Sequence, residues 1–191
     1  MTARKVAGKA PGRAPRKAAP AEPKMLAAMN RQIVEELDSA YLYLAMAAYF
    51  EGEGLEGMAH WMKAQSIEEV IHAMKFFGHI HSRAGTVELQ ALAKPQKTWA
   101  SPLAAFEAAY AHERHITRCI HDLVDLAAAE RDHAALPLLQ WFVEEQVEEE
   151  ESALKVVDLL KRVGSSGHGL LLIDRQLAAR AMPVSMPANG E

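Results

Sequence analysis

Four glutamates constrain this chain more than any other feature, because each stands at the centre of a helical stripe that is otherwise apolar. Between residues 25 and 163, apolar side chains recur about every three and a half residues, the repeat of one helix face. In the first stretch Met29, Ile33, Ala40, Tyr43 and Ala47 surround Glu36, and in the second Met58, Met62, Ala73, Phe76 and Ile80 surround Glu69. Phe106, Ala109, Ile116, Ile120 and Val124 flank Glu113 in the third stretch; Leu138, Phe142, Ala153, Val156 and Leu160 flank Glu149 in the fourth. Such a chain must bury four carboxylates or leave four apolar faces in water.

The helices are expected over residues 25–50, 55–84, 102–130 and from shortly after 130 to 163, with a short fifth over 168–181. Glu51-Gly52-Glu53-Gly54 turns the first pair, Gly85 ends the second helix, and Gly164 ends the fourth. Ser101-Pro102 supplies an N-cap and a first-turn proline, and Pro137 fits only in a first turn. The first pair and the second pair are therefore antiparallel hairpins. Residues 86–101 join them; sixteen residues can reach about 50 Å, enough to span a helix about 40 Å long. The expected fold is all-α, a four-helix bundle with one long crossover and a short fifth helix.

Height along the bundle brings the four acids together. Glu36 lies 17 residues before Glu53 and Glu69 lies 16 after it, while Glu113 and Glu149 each lie 18 residues from Arg131. Uncompensated, each buried carboxylate would cost several kcal/mol, so a cation is the expected counterweight. His72 follows Glu69 at i+3 on the same face. Carboxylate with imidazole points to a transition metal, iron first, and two such ions bridged by carboxylates can each give up one electron. Tyr43, two turns from Glu36, reads equally as a core tyrosine or a redox-active neighbour. Glu68, Glu145 and Glu148 lie beside the central acids and are candidates for an accessory metal site, although most of the acid run 144–151 reads as a solvated face.

Charge divides the chain. Residues 1–24 carry seven Lys/Arg against Glu22 alone, a net +6, and the rest carries −10. With four prolines and almost nothing to bury, residues 1–24 read as a disordered basic arm; residues 25–181 form the bundle, and 182–191 a flexible tail. A single cysteine, Cys119, excludes an internal disulfide. No apolar run reaches the roughly 18 residues of a membrane span. These features lead to the expectation of a cytoplasmic protein with no membrane partner.

The motifs Glu68-Glu69-x-x-His72, Tyr110-Ala-His-Glu113-x-x-Ile-Thr and Leu139-Gln-Trp-Phe-Val-Glu-Glu-Gln146-x-Glu-Glu149 resemble those of bacterial non-haem ferritins, as does Gly167-x-Gly169-Leu with Ile173-Asp174. The resemblance spans about residues 24–179. It implies that Glu36, Glu69 and His72 hold one iron, and that Glu69 bridges to a second held by Glu113 and Glu149. Gln146 would assist and Tyr43 would stand adjacent. Glu68, Glu145 and Glu148, with Glu149, would match the family's third iron site. It further implies a homo-24-mer shell in which ferrous iron is oxidised by O2 or H2O2 and stored as ferric oxyhydroxide. Bacterioferritin carries a second Glu-x-x-His on the fourth helix, where this chain has Ser152, so no haem is expected. Two other readings remain open. One is a nucleoid-associated iron protein whose arm binds DNA by phosphate neutralisation; the other is a diiron oxidase or peroxidase of the same fold.

Overall fold

The computed structural model describes residues 24–183, which form five helices and no strand: α1 (Lys24–Gly52), α2 (Glu56–Ser82), α3 (Pro102–Glu130), α4 (Leu136–Val163) and α5 (Gly167–Leu177). The expected basic arm, apart from Lys24, and the tail beyond Pro183 lie outside the described residues.

Local chemistry sets most of the helix ends. Ser101 Oγ accepts from the Ala104 N–H at 3.1 Å and Pro102 opens α3. Pro137 sits in the first turn of α4, where its missing N–H leaves no gap in the ladder. Gly164, at φ 54°, closes α4. The end of α2 differs from expectation. The left-handed position is taken by Ala84, φ 56°, two residues after the last helical residue, and Gly85 then donates its N–H to the Ile80 carbonyl at 2.9 Å. Gly85 is small for reasons of space: a Cβ there would lie 2.9 Å from both Ile80 Cγ2 and Leu26 Cδ1.

The helices α1 and α2 pack as one hairpin and α3 and α4 as another, with α1 also against α3. The connecting segment has no regular structure and runs along α1 from its first turns to its last. Asn30, buried, donates to the Thr86 carbonyl at 3.0 Å and accepts from the Glu88 N–H at 2.9 Å. Further along, Asp38 accepts from the Ala93 N–H and Trp99 meets Tyr49 edge-on, centroids 5.4 Å apart. On α3 and α4 the buried stripe contains Leu123 and Leu139 where Val124 and Leu138 were expected; both of the latter are only partly buried.

The fifth helix is shorter than expected, ending at Leu177. Ala178 and Ala179 turn, and Arg180 folds back on α2: its carbonyl accepts from His60 Nε2 at 2.8 Å, and its guanidinium lies over the Trp61 ring at 4.5 Å. These contacts outweigh the helix propensity of two alanines. At the other side of the same docking, Asp174 Oδ1 accepts from the Met58 N–H at 2.8 Å. A Cβ on Gly57 would fall 1.8 Å from the Asp174 carbonyl oxygen. Gly57→Val is therefore expected to displace α5 and cost about 1–3 kcal/mol, read as a lower thermal midpoint and as new proteolytic cleavage after Val163. An unchanged midpoint with no new cleavage would contradict this docking.

Two apolar cores result. One runs from Tyr43 and Met46 through Phe50, Met58 and Phe106 to Ile173; the other joins Met29, Ile33, Phe76, Ile120 and Phe142. Between them lies a buried polar layer.

Candidate metal centre

Each of the four bundle helices delivers one carboxylate to that layer. Glu36 is fully buried, Glu69, Glu113 and His72 are each 2% exposed, and Glu149 is 5% exposed. Tyr43 and Gln146, on the flanking turns of α1 and α4, are buried with them. The five residues expected as principal ligands therefore share one water-excluded layer, as do both expected neighbours.

Hydrogen bonds orient the layer. Gln32 Nε2 donates to Glu36 Oε1 at 2.9 Å. Gln65 Nε2 donates both to Glu69 Oε1 at 3.1 Å and to Glu149 Oε2 at 2.6 Å, tying α2 to α4. The Gln65 amide is oriented from behind by Arg180, whose guanidinium donates to Gln65 Oε1 at 2.7 Å and to Glu68 Oε2 at 2.5 Å. Tyr43 donates its hydroxyl proton to Glu113 Oε1, and Gln146 Nε2 lies 3.4 Å from Glu113 Oε2. His72 Nδ1 stands 3.1 Å from Glu69 Oε2. One oxygen is left over: Glu36 Oε2 is buried and has no hydrogen-bond partner among the described residues.

That orphan faces a site poor in positive charge. Burial, reinforced by the Glu69 charge, pushes the carboxyls of Glu36 and Glu113 up to about 8. Burial and the charges of Glu113 and Glu69 likewise raise Glu149. Burial acts against the charged form of His72, but its hydrogen bond to Glu69 prevails and raises it to about 10. Glu69 feels the same burial penalty, yet its bonds to His72 and Gln65 hold it below the usual carboxylate range. One imidazolium thus serves four carboxyls. Oxygen and nitrogen donors converge accordingly: the ligand atoms of Glu36, Glu69 and His72 lie within 4.8 Å of one another, and so do those of His72, Glu145 and Glu149. The orphaned oxygen, the shortage of cations and the donor set all fit divalent transition-metal ions.

The residues expected at an accessory site are spread more widely. Glu145 is partly buried, its carboxylate 3.9 Å from His72 Nε2. Glu68 is engaged by Arg180, and Glu148 is exposed and joins none of these groups. Sequence reasoning missed Gln32, Gln65 and Arg180. The first two carried a visible signal, since each precedes its glutamate by four residues, one helical turn, on its own helix. Arg180 carried none, being 115 positions from Gln65.

Comparison with known proteins agrees with this architecture. The family model of the ferritin-like domain matches residues 26–163. The chain is 45% identical over 157 residues to a bacterial non-heme ferritin of Bacteroides fragilis, covering 82% of this chain and 98% of that protein. It is 34% identical over 156 residues to the corresponding protein of Staphylococcus aureus, covering 82% and 94%. Among solved structures, the open pore ferritin of the hyperthermophilic archaeon Archaeoglobus fulgidus superposes with a TM-score of 0.83 at 49% identity, over 84% of this chain and 99% of that one. An engineered closed form of the same archaeal ferritin gives 0.83 at 48% identity, over 86% and 100%. With its all-α bundle, short fifth helix and carboxylate layer, the chain belongs to the ferritin family.

Proposed function

We propose that this protein stores iron, oxidising Fe(II) to Fe(III) at the carboxylate layer and depositing ferric oxyhydroxide inside a shell of 24 copies. The observation that carries the proposal is the buried, unpaired Glu36 Oε2 at the point where the donor atoms of Glu36, Glu69 and His72 converge, an arrangement that a cation would satisfy. Glu36, Glu69 and His72 take the first ferrous ion. Glu69 bridges to a second, held by Glu113 and Glu149, with Gln146 and Tyr43 steadying Glu113. The two ions release two electrons, enough to take O2 to H2O2 or H2O2 to water. Glu68, Glu145 and Glu148, with Glu149, are the proposed accessory iron site, and of these Glu145 and Glu149 already converge beside His72. The work is that of a ferroxidase in the cytoplasm, with iron as substrate and cargo.

A single bundle has nowhere to keep a mineral. Support for a closed assembly comes from apolar residues left in water: Tyr41 and Leu44 on α1, and Ile67, Val70, Met74 and Phe77 at helical spacing on α2. Leu171 and Leu172 on α5 are also more than half exposed. Burying such patches between copies is favourable at about 25 cal/mol per Å². Sedimentation of the full-length protein is expected to give a particle of about twenty-four times 21.0 kDa, and aerobic ferrous loading should give iron that co-sediments with it. A stable monomer or dimer that oxidises iron without retaining it would replace storage with the diiron oxidase reading.

The charge division of the sequence supports a second activity. The arm of residues 1–24, net +6 on an acidic body, is a sequence-independent DNA contact that repetition over many copies strengthens.

A further inference from the structure

A second cluster of metal-ligating side chains lies outside the central layer, on the adjoining face of α1. Glu35 is adjacent in sequence to Glu36 but faces outward into the groove between α1 and α3. Across the groove, His115 and Cys119 sit at i and i+4 on α3 and so share a face. His115 Nε2 is 2.9 Å from Glu35 Oε2, and Cys119 Sγ is 3.6 Å from the same nitrogen. One ligand atom from each of the three lies within 4.8 Å of the others.

The groove gives access. It holds about 370 Å³ and is lined by Glu35, Cys119, Asp122, Gln32 and Arg31 among others. The side chains of Glu35 and His115 are 37% and 44% exposed, so this is a station open to solvent, unlike the central layer. Burial, with the nearby charges of Glu35 and Asp122, holds the Cys119 thiol up at about 11, so the empty cluster carries a neutral thiol.

We infer that Glu35, His115 and Cys119 form an independent site for a divalent transition-metal ion, such as Zn²⁺, Co²⁺ or Fe²⁺. The donor set makes that choice. A thiolate with an imidazole excludes the hard ions Mg²⁺ and Ca²⁺, and one carboxylate completes three protein ligands. The remaining positions stay with water, so the ion exchanges readily. On binding, the Cys119 S–H bond breaks, the sulfur lone pair goes to the metal and one proton leaves to solvent.

Cobalt tests this without reference to iron oxidation. Cys119 is the only cysteine, so a near-ultraviolet thiolate-to-cobalt charge-transfer band reports this cluster alone, and the central layer contributes none. Titrating the full-length, iron-free protein with Co²⁺ is expected to raise that band to saturation, its final intensity that of one thiolate-bound cobalt per chain, while the central layer takes up further cobalt without adding to the band. His115→Ala and Glu35→Gln should each weaken the binding about tenfold or more, Cys119→Ser should remove the band, and Glu69→Ala should leave it in place. Cys119→Ser exchanges a single atom and should oxidise iron normally. Two results would overturn the site: no band once cobalt has saturated the protein, or a band indifferent to both His115→Ala and Glu35→Gln.

Discussion

Glu69→Ala is expected to slow ferrous oxidation by at least about a hundredfold. Removing a group that merely orients a metal ligand costs about 10–100-fold, and Glu69 does more than that. It is the residue shared by both proposed iron positions, and it also holds His72 protonated and receives Gln65. Without it His72 loses its largest source of raised proton affinity, and Gln65 retains only Glu149. The fast rise in ferric absorbance on mixing Fe(II) with aerated protein should disappear, leaving the slow background reaction. Proton release gives a second readout. Glu36 and Glu113 hold protons up to about pH 8 and His72 up to about 10 in the metal-free layer, so ferrous binding at neutral pH must displace all three, and iron affinity should rise with pH through 8 and on toward 10. Wild-type rates in the variant, with unchanged proton release, would remove Glu69 from the site.

Deleting residues 2–24 is expected to abolish retardation of duplex DNA while leaving iron oxidation at the full-length rate. Every proposed ligand lies beyond Lys24, and the body left behind carries a net −10. The effect should be steep in salt. Neutralising about six phosphates per arm implies that affinity falls about a thousandfold between roughly 50 and 200 mM salt, through counterion release. A mobility assay across a salt series, run with both forms, decides the matter. Equal mobility shifts for the two would dismiss the arm as a nucleic-acid contact, and the storage reading would then stand alone.

What the sequence revealed depended on the range of the interaction. Ser101, Pro137 and Gly164 act within a few residues of themselves, so their roles in capping and stopping helices were legible. The carboxylate layer was legible because one glutamate interrupts each stripe at a matched height. The stripe edges were less so: steps of three and of four residues both keep a side chain near the face, and only the opposing helix selects Leu123 over Val124, or Leu139 over Leu138. Ala84 takes the left-handed position, while its neighbour Gly85 is glycine for another reason, the space claimed by Ile80 and Leu26. The early end of α5 and the hold of Arg180 on Gln65 are contacts between residues more than a hundred positions apart, with no local trace.

The irregular link between the hairpins should also set the order in which the molecule folds. Within each hairpin the helices meet across a turn of a few residues, whereas joining the hairpins requires closing the long segment along α1, an entropic delay that local pairing does not face. The proposed ligands divide along this line. Glu36, Glu69 and His72 all belong to the first hairpin, so the trio and its orphaned oxygen can assemble before α3 and α4 arrive. Glu113 and Glu149 belong to the second and close the chamber only on docking. An ion held by both hairpins favours the joined state by mass action. The last step of folding and the completion of the second iron position are then the same encounter.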